Sequence, residues 1–322
     1  MPVYAQGFIN GRVSQSRICL WLKRLSLSFS VILLSSCFVA ADGLPQLPEQ
    51  EERPFADTRH KSLAGAKALG EMFDAQGYKL DSVKQGAGVP PLFGLNLPKD
   101  LNNQPVTEKI SEFIRLLLPN VLAVNQQITR VRQQLEVLVK IPVSQRTAAE
   151  NEWLQELLTH YSIAPQLTSD NLNQLLMQLD VIPVGMVLAQ GIDESGWGTS
   201  HFAIAGNALY GEHNPKGSSH YLTTPGGHVK VAAFDSMFEG TAAYMFNLNT
   251  AKAYQGLWQL RQTLKREHRL TGYELVTSLE HYSTRGNAYV ENLQSLITHH
   301  QLDAFGGATL TDDTPTTLTF SR

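Results

Sequence analysis

Apolar residues recur at three- and four-residue intervals through most of the chain from Val106 onward, and this period predicts a mainly helical protein. Ile110, Phe113, Ile114, Leu117 and Leu118 form one stripe. Val121, Val124, Ile128, Val131, Leu135 and Leu138 continue it, with Pro119 expected to break or kink the run. A second helix is expected over residues 147–161, with Trp153, Leu154, Leu157 and Leu158 on one side. Such stripes suit an oligomerisation surface as well as a packed helical domain, and the packed domain is the reading adopted. Residues 170–179 read as the next helix. Pro183 opens another, at a position where proline is tolerated, and that helix should end at Gly196 and Gly198.

The period then changes. Tyr221 to Thr223, the turn Pro225-Gly226-Gly227, and His228 to Phe234 with Val229, Val231 and Ala233 alternating predict a β-hairpin. Ser236-x-x-Glu239 and Thr271-x-x-Glu274 are capping boxes that open further helices, and a last helix is expected over residues 288–299. Residues 42–104, with Pro45, Pro48, Pro54, Pro90, Pro91 and Pro98 and the charged cluster Glu49 to Arg53, read as a linker. It holds at most a short helical hairpin around residues 64–76. Residues 305–322, polar and threonine-rich, read as a disordered tail.

Composition narrows the class. With 43 % hydrophobic and 17 % charged residues, the 322-residue chain has the material for a core. A net charge of -3 lacks the basic footprint of a nucleic-acid partner. Cys19 and Cys37 are the only cysteines, so the folded part contains neither a disulfide framework nor a cysteine-ligated metal. Arg12, Arg17, Lys23 and Arg24 precede the uncharged stretch Leu25 to Ala41, the pattern of an export signal over residues 1–41. Three outcomes fit it: cleavage after Ala41, lipidation of Cys37 within Leu34-Ser35-Ser36-Cys37, or an uncleaved anchor.

The candidate chemistry centres on Gln190-Gly191-Ile192-Asp193-Glu194-Ser195-Gly196-Trp197-Gly198. Glycoside cleavage needs a carboxylic acid that keeps its proton near neutral pH. Glu194 falls in the last turn of a helix, where the dipole disfavours a carboxylate, and three residues before Trp197, an apolar wall. Helical spacing puts Gln190 and Glu194 on one face and turns Asp193 away by about 100°. Ser195 lacks the setting of a nucleophile and is expected to close the helix. His201, His213, His220 and His228 match no metal-ligand spacing, so neither a metal nor another cofactor is expected.

Residues 189–200 resemble the active-site segment of the bacterial N-acetylglucosaminidase domain, glycoside hydrolase family 73. Asn207-Ala208-Leu209-Tyr210-Gly211, Phe234-Asp235-Ser236 and Tyr282-Ser283-Thr284 through Ala288-Tyr289 resemble later motifs of that family in order. The last of these, with Asn247-Leu-Asn-Thr250, resembles the Bax-type proteins of Gram-negative bacteria in particular. The resemblance implies a mainly α (α+β), lysozyme-like fold: a helical lobe and a small β-hairpin over residues 169–304, preceded by a helical extension over 105–168. It implies cleavage of the β-1,4 bond after N-acetylglucosamine in peptidoglycan, in the periplasm or cell envelope, with Glu194 as general acid. A lytic transglycosylase and an inactive glycan-binding protein are the alternatives. Tyr289 is implied as a cleft residue that hydrogen-bonds the sugar. Trp197 forms the wall beside Glu194 or stacks on a sugar, the wall being favoured. Tyr210, which could instead support the turn, Asn207 and Gln190 are the further candidate substrate contacts. No acid occurs between His213 and Phe234, where the family often carries a second carboxylate. Glu212 and Asp235 flank the gap, and assistance by the substrate's own acetamido group is the third option.

Overall fold

The computed structural model describes residues 43–47, 58–212, 220–223, 227 and 230–321. The expected export signal, with Cys19 and Cys37, lies outside the described residues, as do His213, His228 and most of the hairpin turn.

In chain order the elements are β1 (Arg59–Leu63), α1 (Ala66–Ala75), α2 (Leu80–Lys84), β2 (Leu92–Gly94), α3 (Val106–Leu138), α4 (Ala148–His160), α5 (Ser169–Gln178) and α6 (Val184–Ser195). There follow α7 (His201–Gly206), β3 (Tyr221–Thr223), β4 (Lys230–Ala232), α8 (Met237–Thr250), α9 (Gln255–Arg266), α10 (Gly272–Leu275), α11 (Asn287–His299) and β5 (Thr316–Phe320). Over the described residues the protein is thus mainly helical, with two small sheets.

Local sequence explains five of the helix starts among the described residues. Thr147 and Glu150 form a reciprocal capping box at α4. The side chains of Thr168, Ser200, Ser236 and Thr271 each accept from a backbone N–H in the first turn of α5, α7, α8 and α10. Pro119 does not break α3, which runs uninterrupted for 33 residues. A mid-helix proline costs about 3 kcal/mol. Here Pro119 lies in the stretch from Glu112 to Val124 that is buried throughout, so packing offsets that cost.

Two expectations about the chain ends are corrected together. The supposed linker carries β1, α1, α2 and β2, and the supposed tail ends in β5. Strand β5 is the centre of a parallel sheet with order β1-β5-β2, pairing Arg59 with Thr316 and Leu92 with Thr316 on its two edges. Asn96 extends the pairing, donating to the Phe320 carbonyl (3.0 Å) and accepting from its N–H (2.9 Å). Neither segment has a partner within reach of its own sequence; each supplies the other's backbone hydrogen bonds. The expected boundary near residue 168 also disappears, because one continuous core runs from Leu47 to Phe320. Within it α3 packs on α6 and α8, and α6 packs on α11, so the helix that carries Glu194 is central and buried from Val184 to Ile192.

Candidate active site

Helix α6 ends at Gly196, whose φ of 57° places it in the left-handed region. Ser195 closes the turn: its hydroxyl donates to the Gly191 carbonyl and accepts from the Gly198 N–H (2.8 Å). This fixes the last turn and directs Glu194 into a cleft of about 870 Å³ lined by Gly211, Glu212, His220, Phe246, Asn247, Tyr254 and Tyr282 among others. Gly211 approaches the acid so closely that a Cβ there would stand 3.1 Å from Glu194 Oε2. A second hollow of about 480 Å³ lies beside α3, but the Asp303 carboxylate in its wall already accepts from the N–H groups of Gly272 (2.7 Å) and Tyr273 (3.0 Å).

Behind Glu194 runs a chain of hydrogen bonds with a defined direction. The Tyr244 hydroxyl donates to Gln190 Oε1, which fixes the amide so that Gln190 Nε2 donates to the Tyr289 oxygen (2.9 Å). The Tyr289 proton is then left to donate to Glu194. Burial raises the pKa of Glu194, the Tyr289 bond opposes the rise, and Asp193 and Arg285 act upward and downward respectively.

Glu212 shares the cleft and is held by β4, whose Ala232 N–H donates to its carbonyl (2.9 Å). Burial pushes its carboxyl up to about 7, against a hydrogen bond with Asn247 that acts downward. Its folded-state value therefore lies above the unfolded one. Its stabilising contribution is complete below about pH 4.5 and is lost as the pH rises through about 7. Glu212→Gln is accordingly expected to leave stability almost unchanged at pH 4 and to raise it by about 2 kcal/mol at pH 8. Calorimetric melts at both pH values check this; equal shifts at both would refute it.

The other proposed contacts are placed differently. Tyr289 and Gln190 are fully buried, so neither presents a polar group to a sugar; they support the acid from behind. Trp197 is not among the described residues that line the cleft. Its ring packs against Phe113 (6.3 Å between centroids) and His300 (5.0 Å), so it braces the helix end against α3 and the end of α11. Tyr210 is buried, stacks on Tyr244 at 4.0 Å and meets Thr241 through its hydroxyl. Asn207 takes a left-handed φ of 52° and donates to the carbonyls of Leu95 (3.1 Å) and Phe234 (2.9 Å), which ties the turn to the segments that follow β2 and β4. Asp235 is exposed and 3.7 Å from His220 Nδ1, and its backbone N–H bonds Glu239, so it serves the start of α8.

Sequence reasoning missed Tyr244, Tyr254 and Phe246. Their signal was indistinguishable from that of a core stripe. Tyr282 and Asn247 lay inside motifs already noted, but nothing in their spacing pointed to the cleft.

Protein bax of Escherichia coli (strain K12) is 31 % identical over 207 residues, which cover 63 % of this chain and 74 % of that protein. The catalytic domain of the autolysin Auto from Listeria monocytogenes is 17 % identical, covering 53 % of this chain and 87 % of that domain at a TM-score of 0.30, too weak a likeness to carry an argument. The glucosaminidase family, described as mannosyl-glycoprotein endo-beta-N-acetylglucosaminidase, matches residues 169–302, a span that takes in Glu194, Glu212 and every cleft residue named above. The chain therefore belongs to the glucosaminidase family of glycoside hydrolases, family 73.

Proposed function

We propose that this glycoside hydrolase cleaves peptidoglycan at the β-1,4 bond after N-acetylglucosamine, with Glu194 as general acid. The observation that carries the reading is a desolvated carboxyl at the end of α6, opening on a cleft of about 870 Å³. Because Tyr289 donates to one oxygen of Glu194, the acid's own proton belongs on the oxygen that faces the cleft, where the leaving glycosidic oxygen would receive it. Glu212 supplies a second carboxyl in the same cleft, suited to stabilising the oxocarbenium-like transition state or activating the attacking water. That second acid also favours a cleaving enzyme over a glycan-binding protein. Asn247, bonded to Glu212, orients it.

A peptidoglycan substrate requires action in the cell envelope. Attachment there would come from the N-terminal segment, through lipidated Cys37 or an uncleaved anchor. Among the described residues no helix is long and apolar enough to cross a membrane. Mass spectrometry of digested peptidoglycan in ¹⁸O-water tests the reaction. Reducing N-acetylglucosamine ends that carry the label are expected, whereas anhydro-muramic ends would make the enzyme a lytic transglycosylase.

A further inference from the structure

The residue beside the acid has a role of its own. Asp193 is largely buried, its side chain only 12 % exposed, and it is bound from two directions. Arg285 engages both of its oxygens, with Nη1 3.3 Å from Oδ1, and Asn292 Nδ2 donates to Oδ1 at 2.6 Å. The same guanidinium lies over the Tyr289 ring, 4.6 Å from its centre, and its Nε bonds Ser283, a residue of the cleft wall. One side chain thus touches the neighbour of Glu194, the tyrosine that bonds Glu194, and the loop that faces it. A guanidinium can do this because it is planar, stacks on aromatic faces and donates in several directions at once.

We propose that Asp193 and Arg285 are a positioning pair that holds Tyr289 and the cleft wall in place and balances the charge around Glu194. The proposal rests on Glu194 as the acid. An unpaired carboxylate one residue from Glu194 would raise its proton affinity beyond what burial already does, and an unpaired guanidinium would depress it. Together the two opposed charges leave that affinity to burial and Tyr289. Among the described residues, the titratable and charged groups that contact Glu194 or share its cleft are Asp193, Arg285, Tyr289, Tyr282, Tyr254, Glu212 and His220.

Removing the two halves of the pair should therefore shift the proton affinity of Glu194 in opposite directions, whereas a loosened fold that left the charge at Glu194 unchanged would shift it the same way in both variants or not at all. The measurement is an NMR titration of the Glu194 side-chain carboxyl carbon in the full chain labelled with [¹³C]glutamate, the signal assigned by its loss in Glu194→Gln. Asp193→Asn is expected to lower the Glu194 midpoint and Arg285→Gln to raise it, each by about one pH unit. Arg285→Lys, which keeps the charge, should stay closer to the wild type than Arg285→Gln does. Shifts in the same direction, or no shift in either variant, would overturn the proposal. Asp193→Asn alone decides the sign should Arg285→Gln fold poorly. The titration does not depend on turnover, so a wild type that leaves peptidoglycan intact would count against the proposed reaction and not against the pair.

Discussion

Glu194→Gln is expected to lower kcat on peptidoglycan by about 10³-fold, the usual scale for loss of a general acid, with little change in KM or in melting temperature. The amide has nearly the same shape and its carbonyl still accepts from Tyr289, so the hydrogen-bond chain from Tyr244 through Gln190 survives. What is lost is a proton to give. Release of reducing ends from purified cell walls measures the effect. A variant that retains more than a tenth of the wild-type rate would remove Glu194 from the acid's role. Tyr289→Phe makes the useful contrast: the acid remains but loses its orienting donor, so a smaller fall is expected.

The largest expected effect on stability lies far from the cleft. Arg261 is 1 % exposed, yet burial lowers its pKa only to about 10, so it stays charged at neutral pH. It donates to the carbonyls of Met177 (3.0 Å), Gln178 (2.8 Å), Asp180 (3.1 Å) and Val181 (3.3 Å), and to Asn249 Oδ1 (2.7 Å). The C-terminal carbonyls of α5 have no partner within the helix, and Arg261, with Arg132 bonding Leu176 (2.7 Å) and Leu179 (2.6 Å), supplies them. Arg261→Met keeps the bulk but removes the guanidinium from Met177, Val181 and Asn249, and leaves Gln178 and Asp180 with only the Asp180 N–H and Asn249 Nδ2 as donors. A loss of about 3–5 kcal/mol is expected, or about 10 °C in Tm. Arg261→Lys should recover only part of it, because one ammonium cannot bridge five acceptors. A circular-dichroism melt of Arg261→Met within about 2 °C of the wild type would contradict this account.

Much of the candidate site was legible because its signals are local. Helical period, capping residues and the glycines after Ser195 all act within a few residues, and they placed α4, α5, α6 and α11 close to their observed bounds and the starts of α8 and α10. The same locality put Glu194 beside Gln190 on one face of α6, but it did not show that Asp193 is itself largely buried, held by Arg285 and Asn292. Glu212 was visible as a candidate through its position beside a turn. Its enclosure depends on Asn247 and on β4, which approach from elsewhere in the chain.

The sequence by itself determined the helical class, several helix ends and the place of Glu194 at the end of α6, since each follows from backbone geometry over a turn or two. Only the tertiary structure decided that Trp197 braces Phe113 and His300, that Tyr289 and Gln190 stand behind the acid and not in the cleft, and that residues 59–63 and 92–94 pair with 316–320. The reason is the same in each case. A strand's hydrogen bonds and a side chain's neighbours are supplied by segments tens to hundreds of residues away, and periodicity carries no record of which distant partner will satisfy them.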